Sequence, residues 1–502
     1  MREPEFDVVV SGGRVIDPET GLDAVRSLGI RAGSIAAISD TDLSGDTVLD
    51  ARGLVVTPGF IDLHCHTQSL PGDRIQACDG VTTTLELESG VLPIAEWYER
   101  QAGAGRAINY GASASWTFAR IAELTPEMGE PHPDLTYFQA AYRYSAWQHE
   151  VSTREQTARI IARLEQGLSE GALGIGINSG YIPGAGVQEL SLVADLAARR
   201  GVPTFTHIQF MSNIDPDSSQ EAYLRLIAYA ATSGAHMHIC HLNSTSLRDI
   251  ERCAHLISVA QQHGLKITTE AYPYGAASTV VGAAFLAHPC YCERTGATWS
   301  DIVLNATGTA VRDEAELRQV QRDDPGQPIV WHYLSPETDP ADQHLLDLSV
   351  LFPGGAIASD AMPWEQPGHT PVEGDVWPMP ADAVAHPRSA GTFARFFAQY
   401  VTRRRLIDLP DAVAKCTLIP ADILASASPS MARKGRLQVG ADADVAAFAL
   451  DEFADRATYS EPAQASEGMV HVLVGGQPLI TDRVLDTAAR AGRAVRGAGA
   501  SG

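Results

Sequence analysis

The stretch "GFIDLHCHTQ" (Gly59–Gln68) ends an apolar run on two histidines, His64 and His66, with one cysteine between them. Residues two apart in an extended strand face the same way, so both imidazoles can address one ion while Cys65 points to the opposite face. Spacing alone does not decide the matter. The chain holds sixteen histidines, and a second such pair, His236 and His238, sits in "HMHICH". The two pairs differ in position: the first closes its run, whereas the second opens one and reads as structural.

Other runs close on ligand-type residues as well. Glu86 and Glu88 end "GVTTTLELE", His207 ends "VPTFTH", His241 ends "HMHICH" and Asp360 ends "GGAIASD". Helical stretches separate the runs, with apolar residues three and four apart, as at Leu224, Ile227, Ala228 and Ala231. Such alternation across residues 58–433 predicts an α/β fold, a (β/α)8 TIM barrel whose active site lies at the carboxyl ends of the strands. No Gly-x-Gly-x-x-Gly follows the first strand, which counts against a doubly wound sheet. Short β-type runs in residues 1–57 and 434–485 predict a small β-sandwich built from both termini. Residues 284–350 read as a long insertion over the active-site face. The Gly/Ala-rich end, 488–502, reads as a disordered tail.

Hydrophobic content of 45% and charged content of 20% describe a globular chain with a sizeable core. A net charge of −24 argues against nucleic acid as a partner, because that binding neutralises phosphates with Lys and Arg. No window is apolar enough for a membrane span. The opening "MREPEFDVVV" lacks a leader pattern, and seven cysteines follow no framework spacing, so a reducing cytoplasm is expected. Imidazoles and carboxylates at successive strand ends suit zinc or a similar borderline ion.

With these pieces in order the chain resembles the amidohydrolase superfamily, and within it the D-aminoacylase (N-acyl-D-amino-acid deacylase) group. The matching segments are "TPGFIDLHCH", "GVTT", "EGALGIGINSGYIPG", "HICHLNS", "EAYPYGAAST", "HPRSAGTFARFFAQYV" and "KGRLQVGADADVAAFALDEFADRATYSEP". The resemblance implies a zinc-dependent hydrolase of a linear amide bond, with one or two Zn2+ ions. His64, His66 and Asp360 would hold one metal position, and His207 with His241 the other. Asp360 would also be the catalytic proton carrier. Arg388 would pair with the substrate α-carboxylate, and Tyr181, Tyr274 and Ser278 would line the pocket.

Two positions depart from the group. D-aminoacylases follow "GVTT" with a segment whose cysteine binds zinc; Ser89 stands there in "GVTTTLELESG". A carboxylate one step earlier, Glu88, is the expected bridging ligand, with Glu86 on the same face as second choice. Cys78 comes too early to replace the thiolate. Asn243 stands where many of these deacylases carry a lysine, which speaks against recognition of an acidic side chain. Small-molecule or short-peptide amides are thus the expected substrates. The alternatives are a peptide-tailoring amidohydrolase of the bottromycin-pathway kind, a cyclic amidase of the dihydroorotase kind, and a scaffold that has lost its metal.

Overall fold

The computed structural model describes residues 5–368 and 370–499. The chain packs as two compact units. One comprises the chain up to Leu85, Gln101–Tyr110 and Ala356–Val495, and the other Glu86–Arg100, Gly111–Gly355 and the chain after Val495.

Eight strands form a nearly closed parallel barrel: β1 (Phe60–Asp62), β2 (Val81–Val91), β3 (Asn109–Ser115), β4 (Ile175–Asn178), β5 (Pro203–His207), β6 (His236–Ile239), β7 (Ile267–Ala271) and β8 (Ala356–Ile357). Their order in the sheet is their order in the chain, as repeated right-handed βα units require. The two edges meet just beyond β1 and β8. There Cys65 bridges Ala361 in parallel, and His66 N–H donates to Ala361 O at 2.7 Å. Every residue of β2, β3 and β5 is buried, the continuous burial that a sheet covered on both faces imposes.

Between β3 and β4, where sequence patterns are least regular, the chain makes a short series of helices ending in Arg154–Ser169. That last helix starts with a capping box: Thr153 accepts from Gln156 N–H, and the Gln156 side chain accepts from Thr153 N–H. The helix Ser219–Ser233 corrects one reading. Its buried face is Ala222, Tyr223, Leu226, Tyr229 and Ala230, whereas Leu224, expected inside, is 52% exposed. Two neighbouring stripes share the same three-and-four spacing, and the one carrying the two tyrosines buries more surface.

The excursion begins earlier and ends sooner than 284–350. Ala276–Val280, Ile302–Leu304, Thr309–Ala310 and Pro328–His332 form a four-stranded antiparallel sheet. The helix Pro340–Val350 then packs on the helix Ile250–Gln262 and on β7, as a member of the barrel's helical layer.

Strands from both ends of the chain share one nine-stranded sheet. It branches at Phe6–Asp17, which pairs with Leu22–Arg31, Gly45–Asp50 and Val55–Pro58. Val445–Phe448 runs antiparallel to Val55–Pro58, and Val8, Val10, Ile30, Val56, Val445 and Leu473 meet in one core. The end of the chain departs from the disorder expected of it. Val495 N–H donates to Tyr110 O at 2.7 Å, and Gly497 N–H to Gly171 O at 2.9 Å; residues 500–502 lie outside the described residues. Its small residues let the backbone lie flush on its neighbours, and the same composition reads as low complexity in sequence. None of the described helices is long and apolar enough to cross a membrane.

Asp444 ties the small sheet to the first barrel strands. Its Oδ2 accepts from Lys434 Nζ at 2.6 Å and Asn109 Nδ2 at 3.0 Å, its Oδ1 accepts from Gly475 N–H at 2.7 Å, and its carbonyl accepts from Gly59 N–H at 2.9 Å. Burial would lower the Lys434 pKa, but Asp444 and Asp442 outweigh it and hold the ammonium above its usual range. Removing one partner of a buried pair costs about 3–5 kcal/mol. Asp444→Ala should therefore lower the thermal midpoint by several degrees in calorimetry, and an unchanged midpoint would refute the anchoring role.

Candidate metal centre

The first unit carries one histidine cluster. His64 and His66 follow β1 and are buried, with their Nε2 atoms 3.2 Å apart. Asp360 Oδ1 lies 3.5 Å from His64 Nε2 and 3.7 Å from His66 Nε2. A tetrahedral ion with bonds of about 2.1 Å needs donor atoms about 3.4 Å apart, so these three edges fit a small divalent ion. Asp360 reaches this place from a left-handed backbone, φ +51°, a strained conformation of the kind that gathers at functional sites.

Asp62 holds the cluster together and was passed over in the sequence, although it stands inside the opening motif. Its buried carboxylate accepts from His64 N–H at 3.2 Å, Ser359 N–H at 2.9 Å, the Ser359 hydroxyl and Gln76 Nε2 at 3.0 Å. Cys65 takes no place among the ligands: its Sγ lies 3.2 Å from Gln76 Nε2 and 3.7 Å from Thr67 O. Cys78, at the end of the helix Leu70–Cys78, is pushed up to about 12 by burial and stays a thiol.

The second unit carries the other cluster. His241 Nε2 lies 3.2 Å from Glu88 Oε1. The other carboxylate oxygen, Glu88 Oε2, accepts from Asn178 Nδ2 at 2.9 Å, and Asn178 Oδ1 accepts from Thr117 Oγ1 at 3.2 Å. Asn178 closes β4 as His207 closes β5, and that position is the available signal for it. His207 Nδ1 lies 3.0 Å from Ile208 O, which assigns the proton to Nδ1 and a lone pair to Nε2. The rings of His207 and His241 are 4.9 Å apart. Gly180 is obligatory here, since a Cβ would stand 2.2 Å from His207 Nδ1. Glu86 is buried on the same strand as Glu88, and Ser89 Oγ meets Asn178 Nδ2 at 3.3 Å.

The second histidine pair is a packing feature. His236 Nε2 and His238 Nδ1 both meet Thr268 Oγ1, at 2.8 and 2.9 Å, and His238 Nε2 meets Glu270 at 3.1 Å. Burial, aided by His238 and Lys266, pushes His236 down to about 4, so its ring is neutral.

The expected substrate residues fall into different places. Tyr181 lies over His207, with ring centroids 4.9 Å apart, and its hydroxyl meets Thr279 Oγ1 at 3.0 Å. Phe285, from the excursion, stacks on the same histidine at 6.4 Å, with Trp331 behind it at 5.7 Å. Tyr274 is buried, and its carbonyl accepts from Tyr333 Oη at 2.9 Å. Ser278 donates to Ile329 O at 3.1 Å, across the antiparallel sheet. Asn243 donates to Tyr272 O at 2.9 Å and Tyr274 O at 3.4 Å, which shapes the turn after β7. In the first unit Arg388 grips Asp360 twice, Nε on the carbonyl at 2.6 Å and Nη2 on Oδ2 at 2.8 Å.

The amidohydrolase family profile matches residues 47–252 and 242–480. An N-acyl-D-glutamate deacylase of Alcaligenes xylosoxydans xylosoxydans is 28% identical over 510 residues, covering 94% of this chain and 93% of its own length. An N-acyl-D-glutamate deacylase from Bordetella bronchiseptica, crystallised with zinc and a phosphonate inhibitor, shares the fold. It aligns with a TM-score of 0.77 at 23% identity, over 98% of this chain and 99% of that one. A dihydroorotase of Geobacter metallireducens is 26% identical but reaches only 54% of this chain. Matched over most of its length, with imidazoles and carboxylates gathered where strands end, the chain belongs to the amidohydrolase family and is a metal-dependent hydrolase of carbon–nitrogen bonds.

Proposed function

We propose that the chain is a zinc-dependent deacylase of N-acyl-D-amino acids with neutral side chains. The observation that carries this reading is the donor triangle of His64, His66 and Asp360, whose edges of 3.2, 3.5 and 3.7 Å suit zinc. His207 and His241 would hold a second position, with Glu88 as its carboxylate ligand. Zinc held there supplies Lewis acidity to an amide carbonyl and lowers the pKa of water.

The chain's own residues do the rest. Asp360 takes a proton from the attacking water and returns it to the leaving amine. Arg388 fixes the Asp360 carboxylate through Oδ2 and receives the substrate carboxylate, the task for which a planar fork of donors is suited. Asn178 holds one Glu88 oxygen so that the other is presented to the metal side. Tyr181 and Phe285 shield the His207 face from water. The preference for a neutral side chain rests on Asn243, whose amide serves two backbone carbonyls where acid-recognising enzymes need a cation. Full-length likeness to deacylases, against half-length likeness to a dihydroorotase, disfavours cyclic-amide hydrolysis, and nothing specific favours peptide tailoring. Seven free cysteines suit a reducing compartment, and the cytoplasm is the proposed location.

Zinc-loaded protein should hydrolyse N-acetyl-D-methionine or N-acetyl-D-phenylalanine at least ~10-fold faster, in kcat/KM, than N-acetyl-D-glutamate, a margin of about 1.4 kcal/mol. A preference for the D-glutamate or for L-substrates would overturn the assignment. Asp360→Asn should lower kcat by about 10²- to 10⁴-fold, the usual worth of a positioned proton carrier, with zinc content near normal; retained activity would remove Asp360 from that role. Glu88→Ala should lose zinc by elemental analysis, and Asn178→Ala should weaken zinc binding by about 10- to 100-fold in chelator competition. Full occupancy in both variants would move the carboxylate ligand to Glu86 or leave a single-metal site.

A further inference from the structure

The helix Arg388–Phe396 is not continuous. Gly391 has φ −143° and ψ 27°, which separates the turn bearing Arg388 from the helix that follows. A break of this kind leaves amide donors on one side and carbonyls on the other without helical partners. The amides are answered from elsewhere in the unit, and the carbonyls by Thr392 of the helix itself and by Ser466. The fully buried Asp79, at the end of a distant helix, accepts from Phe393 N–H at 2.8 Å and Ala394 N–H at 2.9 Å. If Gly391 is counted as the cap residue, these are the second and third helical amides, the ones a capping side chain satisfies. Gly391 cannot supply that side chain, and a Cβ there would meet Asp455 Cβ at 2.7 Å. On the other side, Thr392 Oγ1 donates to Arg388 O at 3.0 Å, and Ser466 Oγ lies 3.2 Å from Ala390 O and 2.8 Å from Asp79 Oδ1.

The separated turn holds the metal-cluster loop. Arg388 grips Asp360, and Ser389 Oγ accepts from Met362 N–H at 2.9 Å. His386 Nδ1 in turn accepts from Arg388 N–H at 3.0 Å. A straight helix would carry Arg388 on a different bearing, and the break is what aims it.

We propose that Asp79 is a positioning residue for Arg388: it caps the restarted helix, keeps the break open, and so fixes the turn from which Arg388 holds Asp360. This rests on the roles given above to Arg388 and Asp360. Asp79 touches neither substrate nor metal and acts through the turn.

The test is a double-mutant cycle on the zinc-loaded full chain, with N-acetyl-D-methionine as substrate, joined to a crystal structure of Asp79→Asn. Asp79→Asn keeps the size but gives up one acceptor for a donor. It should lower kcat/KM about 10- to 100-fold, the scale of a displacement of about 1 Å, with zinc content unchanged. Combined with Arg388→Ala, it should cost little beyond Arg388→Ala alone, because both act through one contact. Ser466→Ala, which spares the carboxylate, should show a smaller loss with the same non-additivity and covers the case in which Asp79→Asn fails to fold. Additive losses, or an Asp79→Asn structure that keeps the Arg388–Asp360 contact at 2.8 Å, would overturn the proposal. A wild type inactive on every N-acyl-D-amino acid would defeat the deacylase reading instead. The crystallographic arm still decides the positioning role in that case.

Discussion

The buried carboxylate of Asp62 is the constraint on which the cluster of His64, His66 and Asp360 depends. It joins the loop after β1 to the loop after β8, across 297 residues of sequence. A carboxylate taken out of water is costly unless donors surround it, and here four donors do. Two of them belong to the backbone of His64 and of Ser359, the residues on which the orientation of the metal cluster turns. Barrel closure and ligand placement are therefore one event in this unit. The parallel bridge between Cys65 and Ala361 and the bond from His66 to Ala361 lie within a few residues of it.

Each cluster pairs histidine with a carboxylate whose second oxygen is engaged elsewhere. Asp360 is held by Arg388, and Glu88 by Asn178. This arrangement removes rotational freedom before any ligand arrives, which is how a site is preorganised. The supports differ in kind. Asn178 is a neutral amide, whereas Arg388 brings a guanidinium against Asp360.

Much of this was legible before the fold was known. His64, His66, Glu88, His207, His241 and Asp360 stand out as candidate ligands from strand periodicity and the rule that barrel chemistry sits at carboxyl ends. Less visible were the residues whose meaning depends on a partner distant in sequence. Ser278 reads as a pocket hydroxyl but bonds across the antiparallel sheet to Ile329. The two stripes of the helix Ser219–Ser233 are equivalent by spacing, and only packing chose between them. The excursion's start at Ala276 comes directly after "YPYG", where an apolar run resumes with only Pro273 and Gly275 to mark the turn.

By itself the sequence determined the architecture and the candidate ligand residues near the strand ends, because these follow from local periodicity and short-range spacing. Tertiary structure alone decided the supports: Asp62 for the first cluster, Asn178 for Glu88, and Asp79 for the broken helix under Arg388. It also decided that the last described residues are ordered and that Asn243 serves the backbone. The physical reason is common to all of these. A buried polar group must find a partner, and which partner it finds depends on contacts between residues that spacing along the chain does not relate.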